Sequence, residues 1–351
     1  MISPILQWEL KKNIMADLLN VLNNYTKESH IENLYSEISK IDFRMEPLYS
    51  TNWTNATWLT NNEVPYVALT NLMDSYYCLQ ERPDMAFTHI WKSINNSYLK
   101  LGKKDIIATN SAKKLNDSDG ITYLVNSIES VKNQNITPTL TIIELINQYI
   151  EIIPLKSLKF VTNFILKGYA IEQAGLNKVL NSSSHNSFRT NHPVIYNSIV
   201  STYGESYKRI TNPTIKKFKA ELNILDQQKS KYIPNSLSLK LQELMISRTA
   251  IINDSAGANP QTLSLTNDVE FLDVIIRIIL YSVRNNSVHG NLVSRLNSEF
   301  VNADSLKNSI YIYFLAHLIL SLGLYVNGEV LLAELEVNIR NLNTLKNLLA
   351  D

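Results

Sequence analysis

Residues 310–326, IYIYFLAHLILSLGLYV, form a 17-residue apolar run that holds only His317, Ser321 and Gly323 as interruptions. Such a run rests either in a bilayer or in the dry interior of a helical core. Its length is at the short edge of what spans a bilayer, and no second segment of this kind occurs in the sequence. The expectation is a fully buried helix of an all-α core, or a helix in a dimer interface, and no membrane.

The rest of the chain carries the same period. Apolar residues recur at helical spacing, while strand-like alternation bounded by turn dipeptides is scarce. Helices are expected at about 4–26, 64–80, 84–101, 138–152, 155–174, 213–230, 237–251, 268–285, 305–325 and 328–349. Thr137-Pro138 and Asn212-Pro213 each place a capping residue before a proline, which suits a helix start. Asn267 with Glu270 three residues on reads as a variant capping box. Three polar stretches, 108–120, 181–193 and 253–268, read as long loops or insert boundaries. The expected organisation is an N-terminal helical extension over 1–62, then a helical domain over 63–351 with a helical insert at about 105–235.

Charge narrows the functional classes. Lys plus Arg is 33 against 32 Asp plus Glu, a net charge of +1, which excludes a strongly basic chain that coats nucleic acid. A polyanion must then meet a local patch. Lys208, Arg209, Lys216, Lys217 and Lys219 form one candidate, and Lys100, Lys103, Lys104, Lys113 and Lys114 another. Each group taken alone is also an ordinary solvated helix face. With 9 glycines the chain has neither a GxxxxGK[ST] nor a GxGxxG phosphate loop. Its single cysteine, Cys78, excludes an intramolecular disulfide and a multi-thiolate zinc site within one chain. Gln7, Glu9, Lys11 and Lys12 break the first apolar run, so a secretory signal is not expected, and the reading is a reducing cytoplasm.

The sharpest local signal follows the apolar helix that begins at Asp268. It ends in Arg284-Asn285-Asn286-Ser287-Val288-His289-Gly290. These residue types suit RNA cleavage without metal or cofactor. That reaction needs a base for the 2′-hydroxyl, an acid for the leaving oxygen and a cation on the phosphorane. A histidine with a pKa near 6.5 performs either proton step. An arginine supplies a permanent fork for phosphate oxygens. An asparagine positions the phosphate or orients the histidine. Tyr281, one turn before Arg284, could stack a base, and Asn286, Lys216 and Lys217 are candidate RNA contacts.

The same string also reads as a helix end. Arg and His in a last turn followed by Gly is ordinary C-capping. Residues five apart on an ideal helix point about 140° away from each other. Two consecutive Asn and a Gly make a regular helix through the motif doubtful. Convergence of Arg284 and His289 therefore needs a break, or a second copy of the motif from a partner chain.

The string VRNNSVHGN after a long apolar helix resembles the signature of the HEPN superfamily (higher eukaryotes and prokaryotes nucleotide-binding). That signature is Arg, then usually Asn, Asp or His, then His after four to six intervening residues, often followed by Gly. PDMAFTHIWKSINNSYLKL (83–101) is similar to the first helix of such domains, with Asn95 or Asn96 where some relatives carry an acid. The resemblance is specific over about 270–292 and looser over 83–101. It implies an α-helical bundle that dimerises and brings two Arg/His motifs into one cleft. It further implies a metal-independent ribonuclease serving as a toxin or antiviral effector, with RNA as substrate and an antitoxin or defence-system partner. Arg284 would then be the phosphate cation, His289 the proton-transfer residue and Asn285 the adjacent polar helper. A non-catalytic nucleotide- or protein-binding module of the same fold is the alternative.

Other histidines carry weaker readings. Arg82 and His89, with six residues between them against four in the first motif, give a second Arg/His pair in the four-to-six range, although Arg82 beside Pro83 also suits a helix start. His185, Arg189 and His192 lie in a Ser/Asn-rich stretch expected to be a mobile surface loop. His317 is expected to be a hydrogen-bonded core residue.

Overall fold

The computed structural model describes residues 23, 24, 26, 28, 43–48, 65–112, 114–176, 182–216, 219–253, 260–288 and 302–350. These residues are predominantly helical. Helices α1 (Tyr66–Leu79), α2 (Pro83–Thr109) and α3 (Asp117–Val131) come first. A short hairpin, β1 (Asn135–Thr137) with β2 (Leu140–Thr141), leads to α4 (Ile142–Glu151) and α5 (Leu155–Gln173). Then follow α6 (Ser183–Asn191), α7 (Pro193–Ile199), a π turn (Val200–Gly204) and α8 (Glu205–Arg209). The hairpin β3 (Thr211–Lys216)–β4 (Lys219–Ile224), helix α9 (Gln227–Ser247) and the hairpin β5 (Thr249–Ile252)–β6 (Gln261–Ser264) complete the middle of the chain. Helix α10 (Asp268–Asp273) runs through a π segment (Val274–Leu280) into α11 (Tyr281–Val288). Helix α12 (Ala303–Val326), a 3-10 turn (Leu332–Glu336) and α13 (Val337–Ala350) follow.

Four of these elements form the bundle that carries the site. Helices α2, α3, α10–α11 and α12 pack against one another. Trp91, Tyr98, Phe271, Tyr311, Tyr313 and Phe314 fill the space between them and are fully buried. Each large apolar side chain removed from water in this way contributes about 1.5–3 kcal/mol. Helix α12 is buried on every side from Ile310 to Leu324. It is long and apolar enough to cross a membrane by length and composition, yet 83% of its most apolar window is enclosed by the fold. Its His317 is bonded at both nitrogens, to the Tyr76 hydroxyl and to Asn338 Oδ1, each at 2.9 Å. The segment 43–48 docks on the same end, where Leu48 N–H donates to Tyr76 Oη and Glu46 N–H donates to Asn341 Oδ1.

Several elements differ from the sequence expectations. The helix expected at 213–230 is the antiparallel hairpin β3–β4, paired from Thr211↔Ile224 to Lys216↔Lys219. Ala220, Leu222 and Ile224 alternate with exposed Glu221 and Asn223, a period of two that a helical reading of the same residues hides. Pro213 therefore lies within a strand. The helix begins only at Gln227, capped by Asp226, whose Oδ1 accepts from Gln228 and Lys229 N–H. The expected helix 237–251 stops at Ser247, because Arg248 turns left-handed at φ 63°. Thr137-Pro138 starts no helix either. The start is Thr141, in a reciprocal capping box with Glu144.

Two of the expected loops hold helices. Residues 108–120 contain the first turn of α3, capped by Asn116, whose side chain accepts from Asp119 N–H at 2.9 Å. Residues 181–193 contain α6. His185 and His192 are buried there, not carried on a mobile loop. His185 Nε2 meets Tyr196 Oη at 3.2 Å, and His192 Nε2 meets Asp273 Oδ2 at 2.8 Å. Both histidines exchange water for a protein partner, which is what lets a polar helix bury one face.

Candidate active site

The helix α10–α11 is launched by Asn267, whose side chain accepts from Glu270 N–H at 2.9 Å. The Glu270 carboxylate reaches back to Thr266 N–H rather than to Asn267. The helix then passes through seven residues of π geometry, VIIRIIL, and returns to α-helix at Tyr281. Wider turns of this kind recur at functional sites. The α-helix continues through Val288, so the chain makes no break between Arg284 and Val288.

Arg277, Tyr281 and Arg284, at spacings of four and three, meet the first two turns of α3. The two arginines are treated very differently there. Arg277 is 3% exposed and places all five of its N–H groups. Nε donates to Asp273 Oδ1 at 2.8 Å, Nη1 to Ser118 Oγ at 2.6 Å and to Ser118 O, and Nη2 to Thr122 Oγ1 at 2.9 Å and again to Ser118 O. Among the described residues Arg284 makes one hydrogen bond, from Nη1 to Asn285 Oδ1 at 2.9 Å. Its Nη2 lies 3.8 Å from Asp117 Oδ2, with the two side chains 22% and 33% exposed. The guanidinium carbon sits 5.5 Å from the centre of the Tyr281 ring.

Asp117, the first residue of α3, is the hub of the cluster. Its Oδ1 accepts from Asn95 Nδ2 and its Oδ2 from the Tyr281 hydroxyl, both at 3.4 Å. Tyr281 also packs on Trp91, with ring centres 5.8 Å apart. Burial pushes the Tyr281 hydroxyl above its usual range and the Asp117 charge adds to this, while Arg284 works the other way. The buried Tyr98 hydroxyl is pushed up as well, first by burial and then by Asp117. Both phenols thus stay protonated beside the carboxylate. Asn285 is buried, and its Nδ2 donates to Ser183 Oγ at 3.3 Å, which ties α11 to the start of α6.

The other expected site residues fall as follows. His289 and Lys217 lie outside the described residues, as does the side chain of Asn286. Lys216 stands at the tip of the β3–β4 hairpin, its Nζ 3.5 Å from Glu221. That hairpin packs on α5 and α8, whereas α11 packs on α2 and α6. Lys100 is ion-paired with buried Glu329 at 2.7 Å, and Lys104 donates to Asn327 O, so these two lysines brace the bundle end. Arg82 forms a two-point pair with Asp84 at the start of α2, and His89 lies 3.8 Å from Asp74. Among the described residues no three His, Cys, Asp or Glu side chains are grouped so as to hold a metal ion.

Sequence reasoning missed Asp117, Ser183 and Arg277. The first had a readable signal, since Asn116 followed by Asp119 is an N-cap with acids in the first helical turn. Of the two candidate polar residues on α2, Asn95 is the one that reaches the cluster, through Asp117. No protein-family model matches the chain, and no curated protein or solved structure matches it.

Proposed function

We propose that this chain is an endoribonuclease of HEPN type that works without metal. It cleaves RNA by attack of a 2′-hydroxyl on the adjacent phosphate and leaves a 2′,3′-cyclic phosphate. The observation that carries the reading is the unspent guanidinium of Arg284. On the same helix Arg277 satisfies every N–H it has, while Arg284, partly exposed, gives one to its neighbour Asn285. A partly exposed fork with free donors is what a phosphate needs.

The roles follow from the chemistry. Arg284 binds the scissile phosphate and offsets the charge that builds on the phosphorane. Asn285 and Asp117 flank the guanidinium and aim it. Tyr281 offers a ring edge beside the phosphate for a base. His289 carries the proton steps. The HEPN resemblance implies a dimer that joins two Arg/His motifs, so the site is composite, with Arg284 of one copy facing the partner's His289. The protein acts as a toxin or antiphage effector.

The test is the chemistry of the product ends. A short RNA incubated with the protein in EDTA should give fragments ending in 2′,3′-cyclic phosphate. A single 2′-deoxy substitution at the cleaved position should abolish that cut. Cleavage that survives the deoxy substitution refutes 2′-hydroxyl attack. Binding of the RNA without any cleavage favours a non-catalytic module.

A further inference from the structure

An arginine in the middle of VIIRIIL is costly. Ile275, Ile276, Ile278 and Ile279 around it are fully buried, and a charge in such surroundings is tolerated only when paired and hydrogen-bonded. Arg277 meets that condition by gripping one particular place, the first turn of α3. Ser118, which takes three of its five bonds, is the neighbour of Asp117.

The grip continues on the other side. Asp273 holds Arg277 Nε with Oδ1 and His192 Nε2 with Oδ2, both at 2.8 Å. Burial works to raise the Asp273 carboxyl, but His192 and Arg277 outweigh it and hold it below the usual carboxylate range. His192 caps the end of α6, the helix whose start touches Asn285 through Ser183. Helix α6 thus braces α10–α11 at both ends, once below Arg277 and once beside Arg284.

We propose that the chain His192–Asp273–Arg277 positions Asp117, and through it Arg284, so that helix α6, through His192, sets the competence of the catalytic site. Arg277 and His192 are positioning residues and touch no substrate. The inference rests on the ribonuclease reading for its activity arm only.

The test uses the full chain with Arg277→Gln, His192→Asn, Asp117→Asn and the double variant Arg277→Gln/Asp117→Asn. Ser118→Ala serves as a milder probe that removes one acceptor and leaves the buried charge paired. Two quantities are read on folded protein: kcat and KM for RNA cleavage, and amide hydrogen exchange over residues 117–122 against residues 310–324. Arg277→Gln should lower kcat at least tenfold with little change in KM. The double variant should be no slower than Asp117→Asn alone. Exchange over 117–122 should rise in Arg277→Gln, His192→Asn and Ser118→Ala, while 310–324 stays protected. Additive losses in the double variant, or unchanged exchange over 117–122, would overturn the proposal. If the wild type cleaves no RNA, the ribonuclease reading falls, and the exchange arm alone decides whether Arg277 positions α3.

Discussion

Arg277 and Arg284 lie seven residues apart on one helix and contact the same turn of α3, yet among the described residues one has five hydrogen bonds and the other has one. The first is a buried staple. The second is a cation with donors to spare at a partly exposed position. On the ribonuclease reading, the first residue builds the site and the second works in it.

A composite site, as proposed, predicts the outcome of mixing. Arg284→Ala and His289→Ala homodimers should each be inactive. After the two are unfolded together and refolded, mixed dimers should regain a measurable fraction of wild-type cleavage, because one of the two sites then has both residues intact. Absence of any regain, with mixed dimers verified by mass, places Arg284 and His289 of the same chain in one site.

Tyr281 should divide into two functions. Tyr281→Phe keeps the ring on Trp91 and loses the hydroxyl's contacts with Asp117 and Asn285, so the fold and RNA affinity should hardly change. Tyr281→Ala removes the stacking surface and should weaken RNA binding roughly 5- to 150-fold, the range for loss of one base–aromatic stack. Equal affinities for the two variants in a fluorescence anisotropy titration would remove Tyr281 from the RNA contact.

Gly120 is fixed by the site it supports. A Cβ there would stand 2.2 Å from Tyr98 Cδ2, and the Tyr98 ring is fully buried beside Asp117. Gly120→Ala must displace the ring or the first turn of α3, at about 1–3 kcal/mol of stability. Urea unfolding gives the loss directly, and an unchanged midpoint would show that the turn adapts freely.

His317 sets a pH dependence of stability. Burial, opposed by the Asn338 bond, lowers its pKa from 6.5 to about 4. The folded chain therefore keeps the ring neutral, while the unfolded chain takes up a proton below 6.5. This contribution is fully present above pH 6.5 and is lost as pH falls from 6.5 to about 4, to the extent of about 3 kcal/mol. Buried His185 is shifted down as well and acts in the same direction. The urea midpoint should drop across this window, and His317→Gln should flatten the drop. A wild type and variant with parallel pH profiles would contradict the assignment.

What the sequence disclosed and what it hid have separate physical causes. Helix α12 was legible because seventeen apolar residues have few places to go, and the start of α10 because Asn267 and Glu270 carry a cap. The Arg284 motif was legible as a string, but its surroundings were not. Asp117 reaches Arg284 across 167 positions of sequence, and its segment, Asn116-Asp-Ser-Asp-Gly, has the composition of a turn. Helix α6 was hidden for the opposite reason. Ser, Asn and His look solvated, yet His185 and His192 find Tyr196 and Asp273 inside the fold. The β3–β4 hairpin was misread because its residues satisfy both periods, and pairing between strands decides the outcome.

The most direct measurement is cleavage of RNA in EDTA by the wild type and by Arg284→Ala, with fold and oligomeric state checked on the same samples. The wild type should cleave to cyclic-phosphate ends, and the variant should lose about 10²–10³ in kcat, the effect of removing one preorganised donor from developing charge. Wild-type rates retained in Arg284→Ala would contradict the ribonuclease reading, since the unspent guanidinium would then have no part in the reaction.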